Sequence, residues 1–289
     1  MSIGSFLQVT PDSLYIGRPW HTVPANNNLA MMQNIEKRTI FASFLRPPLV
    51  KGYVILHLIV LASILFFLVF DPKKGNYLGS LLLGLIAVPL TLLLICLASI
   101  TDLWLYLVLA LVIDVALVLV SIWLARDKNY DSLIFLCLAT VVALLIDTLS
   151  GGHLQRFSVL SYDPMGGARF YGIGNEYMGV LMGATIIGVS LLVQRLQKRP
   201  AQYFVAGTLF LSVLVVLGAP WWGSNFGGFA ATLIAFGYTF LRLFGIRVRP
   251  RNILIGLSVV GLLCGGVFVL DYMRPPEMRS HFGQFAFSV

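Results

Sequence analysis

The stretch LWLYLVLALVIDVALVLVSIWL, residues 103–124, decides the fold class, because Asp114 is the one charged residue in it. A helix of about 20 apolar residues crosses the ~30 Å hydrocarbon layer of a bilayer, and a single water-soluble core does not bury many such runs. Comparable apolar runs occupy residues 52–70, 78–100, 132–149, 176–193, 203–218, 227–243 and 253–270. The sequence therefore predicts an all-α fold, a polytopic transmembrane helix bundle of about eight spans.

The overall composition argues against a soluble domain. The chain is 58% hydrophobic and 11% charged, with a mean hydropathy of +0.88. Its net charge of +8 comes from basic clusters between apolar runs, a pattern that favours membrane lipids rather than nucleic acid as partners. The cysteines Cys96, Cys137 and Cys264 all lie in apolar runs, so we interpret them as packing residues and expect neither a metal nor a cofactor.

The two ends of the chain are more polar than its middle. Residues 1–48 contain turn signals such as Pro11-Asp12, which predict a short extramembrane segment. The transmembrane bundle is expected over residues 49–271, with a C-terminal extramembrane tail over 272–289. No basic region followed by an apolar run precedes Gly52, so no secretory signal is expected.

Basic residues concentrate in alternate connections between the spans, and the positive-inside rule places such connections in the cytoplasm. The connections opposite to these carry only Arg156 and Arg169. The asymmetry predicts a bacterial plasma (inner) membrane protein with both termini, loop 150–175 and loop 219–226 outside. A cluster before the first span indicates the reverse orientation locally, but the later connections carry more basic residues. The early cluster is Lys37, Arg38, Arg46 and Lys51, and the later residues are Lys73, Lys74, Arg126, Lys128, Arg195, Lys198, Arg199, Arg242, Arg247, Arg249 and Arg251.

The most informative connection is SYDPMGGARFYGIGNE, residues 161–176, a glycine-rich loop that ends where the fifth span begins. Free N–H groups and the positive dipole end of a helix attract anions, and an arginine adds a bidentate grip on phosphate. We therefore predict an anion or lipid-headgroup pocket at Arg169, Tyr171, Asn175 and Glu176. The alternative is that the glycines only permit a tight turn and that Asn175 and Glu176 only cap the helix.

A second loop on the same side, GAPWWGSNFGG at residues 218–228, carries aromatic and polar residues. Trp221 and Trp222 suit the headgroup zone and are interpreted as interfacial anchors. Ser224 and Asn225 form a glycine-flanked polar pair at a helix entrance. We predict that this pair completes the pocket, with packing alone as the alternative.

Titratable side chains in and near the first loop supply groups for proton transfer. Asp147, His153 and Asp163 join Glu176 in this set, although solvated loop charges give the same pattern. Asp114 lies in the middle of a span, where a charge costs about 2.5 to 3.5 kcal/mol. Two interpretations stay open for Asp114: a protonated or paired core residue, with His57 as one candidate partner, or a station on a proton or cation path.

Three segments resemble a group of large bacterial membrane proteins in which an extracytoplasmic domain of the alkaline-phosphatase superfamily precedes a multi-pass bundle. They are GARFYGIGNEYMG at 167–179, GSNFGG at 223–228 and the tail that begins DYMRPPE at 271. The resemblance covers most of residues 45–289. It implies that residues 1–48, around LYIGRPW at 14–20, are the end of the phosphatase-like domain and that the chain is truncated. No residue matches that superfamily's nucleophile or metal ligands, so no catalytic residue is assigned.

The residues and the resemblance together favour the membrane portion of a cell-envelope phosphohydrolase or phosphotransferase. Its outward pocket would hold a lipid-linked phosphate or sugar headgroup. Three alternatives remain: a transporter or flippase that uses Asp114 and Glu176 for coupling, a polysaccharide ligase or polymerase, and a purely structural membrane anchor. Whether the chain is an enzyme stays open at this point.

Overall fold

The computed structural model describes residues 27–70, 78–125, 130–163, 165–166, 171–247 and 250–274. Within these ranges, two short 3-10 helices, Ile95–Leu97 and Gln155–Phe157, lie in the connections. The α-helices of these ranges are α1 (Asn28–Phe70), α2 (Leu78–Leu94), α3 (Leu103–Leu124), α4 (Asp131–Leu149), α5 (Asn175–Arg195), α6 (Arg199–Gly218), α7 (Phe226–Leu243) and α8 (Pro250–Tyr272).

The helices α1 to α7 are each long and apolar enough to cross a membrane, and α8 contains the shorter apolar stretch Ser258–Tyr272. No β-strand occurs in the described ranges. The predicted all-α polytopic bundle is confirmed. The chain is therefore a multi-pass integral membrane protein whose apolar helices contact membrane lipids.

Helix α1 begins earlier than the sequence pattern predicts, at Asn28 rather than near residue 52. Its 43 residues extend about 65 Å at 1.5 Å per residue, which is about twice the thickness of the hydrocarbon layer. The polar residues and turn signals of residues 1–48 predict an extramembrane segment instead. Pro47 and Pro48 lie inside the helix and withhold two backbone N–H donors, yet the helix continues through them. The turn signals of residues 1–26 lie outside the described residues.

The core forms around α4 and α5. Helix α4 packs against α2, α3, α5 and α6, while α5 also packs against α6 and α7. At Gly188 of α5 an added Cβ would lie 3.1 Å from the Cβ of Cys137 on α4, so glycine permits this close approach of two helices. The largest side chains that are completely buried in the core include Leu93, Leu136, Leu144, Tyr177, Leu181 and Phe236.

Helix α1 lies at the periphery of the bundle and buries only Leu45 and Val60 in this structure. A polar contact attaches α1 to α2, since the Tyr53 hydroxyl donates to the carbonyl oxygen of Leu85 at 2.9 Å. That carbonyl is available because Pro89, four residues later in α2, has no N–H to donate. A neighbouring helix thus satisfies the backbone group that the proline leaves open.

The connections α2–α3, α4–α5 and α6–α7 come together at one end of the bundle. Arg38 of α1 donates to the carbonyl oxygen of Cys96 at 2.7 Å, and Ile173 N–H donates to Gly223 at 2.8 Å. We call this the polar end, and it comprises residues 38–46, 95–102, 150–163, 171–176 and 219–225. Among the described residues, those between 36 and 247 belong to one compact unit, which contains the polar end, and residues 27–35 with 250–274 belong to another.

Candidate functional site

The N-terminus of α5 lies at the centre of the polar end and has no side-chain cap. The residue before the helix is Gly174, which offers no acceptor to the N–H groups of the first turn. Glycine is required here because an added Cβ would lie 2.9 Å from the backbone nitrogen of Tyr162. The first turn therefore keeps N–H groups without a side-chain partner, together with the positive end of the helix dipole.

An ion pair joins α1 to this helix end. The Arg46 Nη2 group donates to Oε1 of Glu176, and the two side chains are 21% and 39% exposed, respectively. The other terminal nitrogen, Nη1 of Arg46, is buried and has no hydrogen-bond partner among the described residues. The glycine-rich loop predicts Glu176 as a site residue, whereas Arg46 stands in the sequence only as one of the basic residues before the first span. The structure thus adds a guanidinium to the site, and one of its two terminal nitrogens is buried without a partner in the described residues.

Asp163 ties the α4–α5 loop to α1. Its Oδ2 accepts from the Ser43 hydroxyl at 3.1 Å, and its Oδ1 accepts from the backbone N–H of Met165 at 3.0 Å. Asp163 and Glu176 therefore both contact the same part of α1. Both carboxylate oxygens of Asp163 already have donors in the chain, which gives this residue a positioning role in the loop.

Asp147 and His153, which we predicted for proton transfer, make no hydrogen bond to Arg46 or Glu176 in the described part of the chain. Asp147 is 4% exposed, and its oxygens accept from the N–H groups of Leu154 at 2.8 Å and Gln155 at 3.0 Å. These bonds shape the turn that follows α4. His153 is exposed, and no hydrogen bond connects it to Asp147, Asp163 or Glu176 in the described part of the chain.

Asn225 connects the two predicted loops. It is 3% exposed, and its amide nitrogen donates to the carbonyl oxygen of Ile173 at 3.1 Å and to Oδ1 of Asn175 at 3.2 Å. Its side-chain oxygen accepts from Gly228 N–H at 2.8 Å, which caps α7. The predicted neighbourhood of Asn175 and Asn225 is therefore present, but the amide of Asn225 is engaged within the protein.

A backbone contact closes the same junction. Gly172 has φ +75°, and an added Cβ would lie 2.2 Å from the carbonyl oxygen of Gly223.

Of the remaining predicted pocket residues, Ser224 adopts φ 46°, and Tyr171 is 37% exposed. Arg169 lies outside the described residues. The site that the structure assembles is thus formed by Arg46, Glu176 and the first turn of α5, with Asn225 holding the adjoining loop.

Asp114 occupies a separate position inside the bundle. Its Oδ1 accepts from the Thr91 hydroxyl of α2 at 3.0 Å, and Thr91 is 2% exposed. The Nδ1 atom of His57 lies 3.3 Å from the carbonyl oxygen of Tyr53 on its own helix, and no hydrogen bond connects His57 to Asp114 in the residues described. Thr91, rather than His57, is therefore the hydrogen-bond partner of Asp114.

The site has no arrangement typical of a metal centre. In the part of the chain that the structure describes, no three His, Cys, Asp or Glu side chains come together as ligands.

Comparison with protein-family models, curated proteins and solved structures found no match to this chain. The resemblance to membrane proteins with a phosphatase-like domain therefore stays a prediction.

Proposed function

We propose that this integral membrane protein binds a phosphate-bearing lipid headgroup at its polar end, as the membrane portion of a cell-envelope phosphohydrolase or phosphotransferase. The observation that carries the proposal is the buried Nη1 group of Arg46, which has no hydrogen-bond partner in the described residues and lies on a side chain paired with the first turn of α5. A lipid-linked sugar phosphate presents the same group and belongs to the same ligand class.

The chemistry of the site suits a phosphate. A guanidinium has five N–H donors in a planar fork, and phosphate oxygens accept two of them at once. The uncapped N-terminus of α5 adds backbone donors and a partial positive charge. Glu176 opposes an anion by its charge, so Arg46 must neutralise it for a phosphate to bind.

The alternatives make different demands on the structure. A proton-coupled transporter or flippase that uses Asp114 and Glu176 needs groups that exchange protons along a path, whereas Asp114 has a buried threonine as its hydrogen-bond partner. A purely structural anchor would use the Arg46–Glu176 pair only to hold α1 to the bundle. A polysaccharide ligase or polymerase would bind a similar lipid-linked phosphate, and binding measurements alone do not separate it from our proposal.

The test is phosphate-dependent lipid binding by the full chain in detergent micelles. The probe is dioctanoyl phosphatidic acid, and dioctanoylglycerol is its phosphate-free counterpart. We expect Arg46→Ala to weaken binding by roughly 1.5 to 3 kcal/mol, about tenfold to hundredfold in affinity. Arg46→Lys keeps the charge but loses the fork, so a smaller loss is expected. Glu176→Gln removes the opposing charge and should strengthen binding.

Arg195→Ala is the matched control. Arg195 lies at the other end of the same helix and pairs with Asp131 at 3.0 Å, so its removal also breaks an ion pair of α5. We expect this variant to bind the phosphatidic acid as the parent does. Thermal unfolding verifies that each variant is folded. If folded Arg46→Ala and Glu176→Gln variants both bind like the parent, the pair is only structural and the proposal is wrong.

A further inference from the structure

The end of the bundle opposite to the polar end carries exposed basic side chains. Lys198 precedes α6, Arg199 is the first residue of α6, and Arg242 lies in the last turn of α7, which packs against α6. All three are exposed, and none has an ion-pair or hydrogen-bond partner for its side chain in the described ranges. We call this the basic end, and it comprises residues 195–203 and 240–247.

The protein does not compensate these charges itself. Asp131, at the start of α4, lies at the same end, but its Oδ1 already accepts from Nη2 of Arg195 at 3.0 Å. Lys198 and Arg199 stand where the helix dipole of α6 is positive, which raises the local potential further. The basic end therefore attracts an anion from outside the chain.

A side chain fixes the connection between α5 and α6. The amide nitrogen of Gln202 donates to the carbonyl oxygen of Leu196 at 2.7 Å and to that of Val193 at 3.3 Å. Carbonyl groups at the C-terminus of a helix lack partners within the helix, and Gln202 supplies one here. Lys198 and Arg199 therefore extend from a backbone that is held in position.

An aromatic stack lies one helical turn below Arg199, between α6 and α7. Tyr203 follows Arg199 by four residues, so the two side chains share a face of α6. The ring of Tyr203 stacks on that of Phe244, with ring centroids 4.0 Å apart. Tyr203 is 40% exposed, and its hydroxyl has no hydrogen-bond partner in the part of the chain that is described. The stack thus adds an available hydroxyl donor to the face that carries the Arg199 guanidinium.

The neighbouring face of α6 is apolar and exposed. Phe204, Leu211 and Val215 are 72%, 62% and 50% exposed, respectively, and they lie near whole helical turns from one another. Phe204 follows Arg199 by five residues, which is about 7.5 Å along the helix axis. Hydrocarbon at the level of Phe204 therefore places Arg199 among the lipid headgroups, where tyrosine side chains such as Tyr203 are common.

We propose that the basic end binds an anionic phospholipid, whose headgroup phosphate is held by Lys198, Arg199 and the Tyr203 hydroxyl between α6 and α7. Basic sites between transmembrane helices bind such headgroups, and the apolar stripe that begins at Phe204 suits an acyl chain. Because the ligand needs both parts, a lipid fits better than a free anion. The site shares no residue with Arg46 and Glu176 and lies at the other end of the bundle, so this inference does not depend on the proposed function.

Native mass spectrometry of the full chain in detergent micelles tests the proposal by counting the lipids bound per chain. The probes are phosphatidylglycerol, which has a net negative charge, and phosphatidylcholine, whose phosphate is balanced by its choline group. We expect Arg199→Gln to weaken phosphatidylglycerol binding about tenfold and Lys198→Gln to weaken it about fivefold, with phosphatidylcholine binding unchanged. Tyr203→Phe keeps the ring but loses the hydroxyl, so a loss of about twofold to tenfold is expected.

Arg156→Gln is the matched control, since Arg156 is an exposed arginine at the polar end and the substitution removes the same charge. It should bind phosphatidylglycerol as the parent does. Equal weakening by Arg156→Gln and Arg199→Gln would mean that only net charge matters, and the proposal would be wrong. It would also be wrong if folded Lys198→Gln and Arg199→Gln variants both bound phosphatidylglycerol as the parent does.

Two further measurements separate this site from other sources of binding. Excess inorganic phosphate at constant ionic strength should not displace the phosphatidylglycerol, and displacement would overturn the assignment of a lipid. Arg46→Ala and Arg199→Gln should each remove a different class of bound lipid. If Arg46→Ala alone removes the whole preference for phosphatidylglycerol, the proposed function is supported and the site at the basic end is overturned.

Discussion

The buried junction at Asn225 leads to a quantitative prediction for Asn225→Ala. The parent side chain makes three hydrogen bonds, to Gly228, Ile173 and Asn175, and alanine makes none of them. Asp102 provides a matched comparison because it caps α3 in the same way, by accepting from Leu105 N–H at 2.8 Å. Asp102 has the cap function of Asn225 without the connection between loops.

The expected decrease in the free energy of unfolding follows from the individual contacts that each variant loses. Loss of a helix cap costs about 1 kcal/mol, and each further hydrogen bond contributes about 0.5 to 1.5 kcal/mol. Asp102→Ala should therefore lower the free energy of unfolding by about 1 kcal/mol. Asn225→Ala should lower it by about 2 to 4 kcal/mol, since it loses the cap and both bonds to the other loop. Asn225→Asp keeps the cap acceptor but places a buried carboxylate against the oxygens of Ile173 and Asn175, so it should destabilise the protein at least as much as the alanine variant.

The assay is reversible unfolding of the full chain in mixed detergent micelles, followed by circular dichroism as the denaturing detergent is increased. The decisive quantity is the difference between Asn225→Ala and Asp102→Ala. Equal destabilisation by the two variants would refute the conclusion that Asn225 joins the loops. It would mean that the bonds to Ile173 and Asn175 contribute nothing measurable to stability.

Two further predictions concern the interior of the bundle and its orientation. Asp114→Asn should change the free energy of unfolding little, because the amide oxygen still accepts from Thr91. Asp114→Ala should lower the free energy of unfolding by about 0.5 to 1.5 kcal/mol. If the parent shows a proton flux in proteoliposomes and Asp114→Asn lacks it, Asp114 instead takes part in transport. The orientation is tested in a cysteine-free background with a membrane-impermeant thiol reagent. A cysteine that replaces the exposed Met165 should react when the reagent is applied to intact cells. A cysteine that replaces the exposed Gln197 should react only after the membrane is opened. The reverse labelling pattern would contradict the predicted orientation.

The transmembrane helices could be predicted from the sequence because a span depends on local composition. A run such as residues 103–124 meets the length and hydropathy that a bilayer requires, whatever its neighbours are. Local composition does not predict the full length of helix α1. Pro47 and Pro48 weigh against a helix locally, yet α1 continues through them. Local patterns also do not show that the carbonyl left open by Pro89 is satisfied by a tyrosine of another helix.

The candidate site was only partly predictable. The sequence predicts Asn175, Glu176 and Asn225 as site residues because it shows polar residues next to glycines at helix starts. Arg46 was missed because its partner lies 130 residues away, and no local pattern connects the two. The basic residues before the first span contradicted the predicted orientation. Two of them, Arg38 and Arg46, make specific contacts at the polar end, which gives them a role other than setting topology.

The sparse attachment of α1 also determines when this helix can reach its final position during synthesis. Ser43 and Arg46 bind partners that follow them by 120 and 130 residues, respectively. At roughly 5 to 20 residues per second, the ribosome needs about 6 to 26 s to add the later segment. Until Glu176 is made, Arg46 lacks the carboxylate that pairs with it in the final structure, whereas Tyr53 needs only α2, 32 residues later, for its contact with Leu85. The contacts of α1 with the α4–α5 loop and with α5 therefore form later than its contacts with α2, and they depend on synthesis of the loop that contains Asp163.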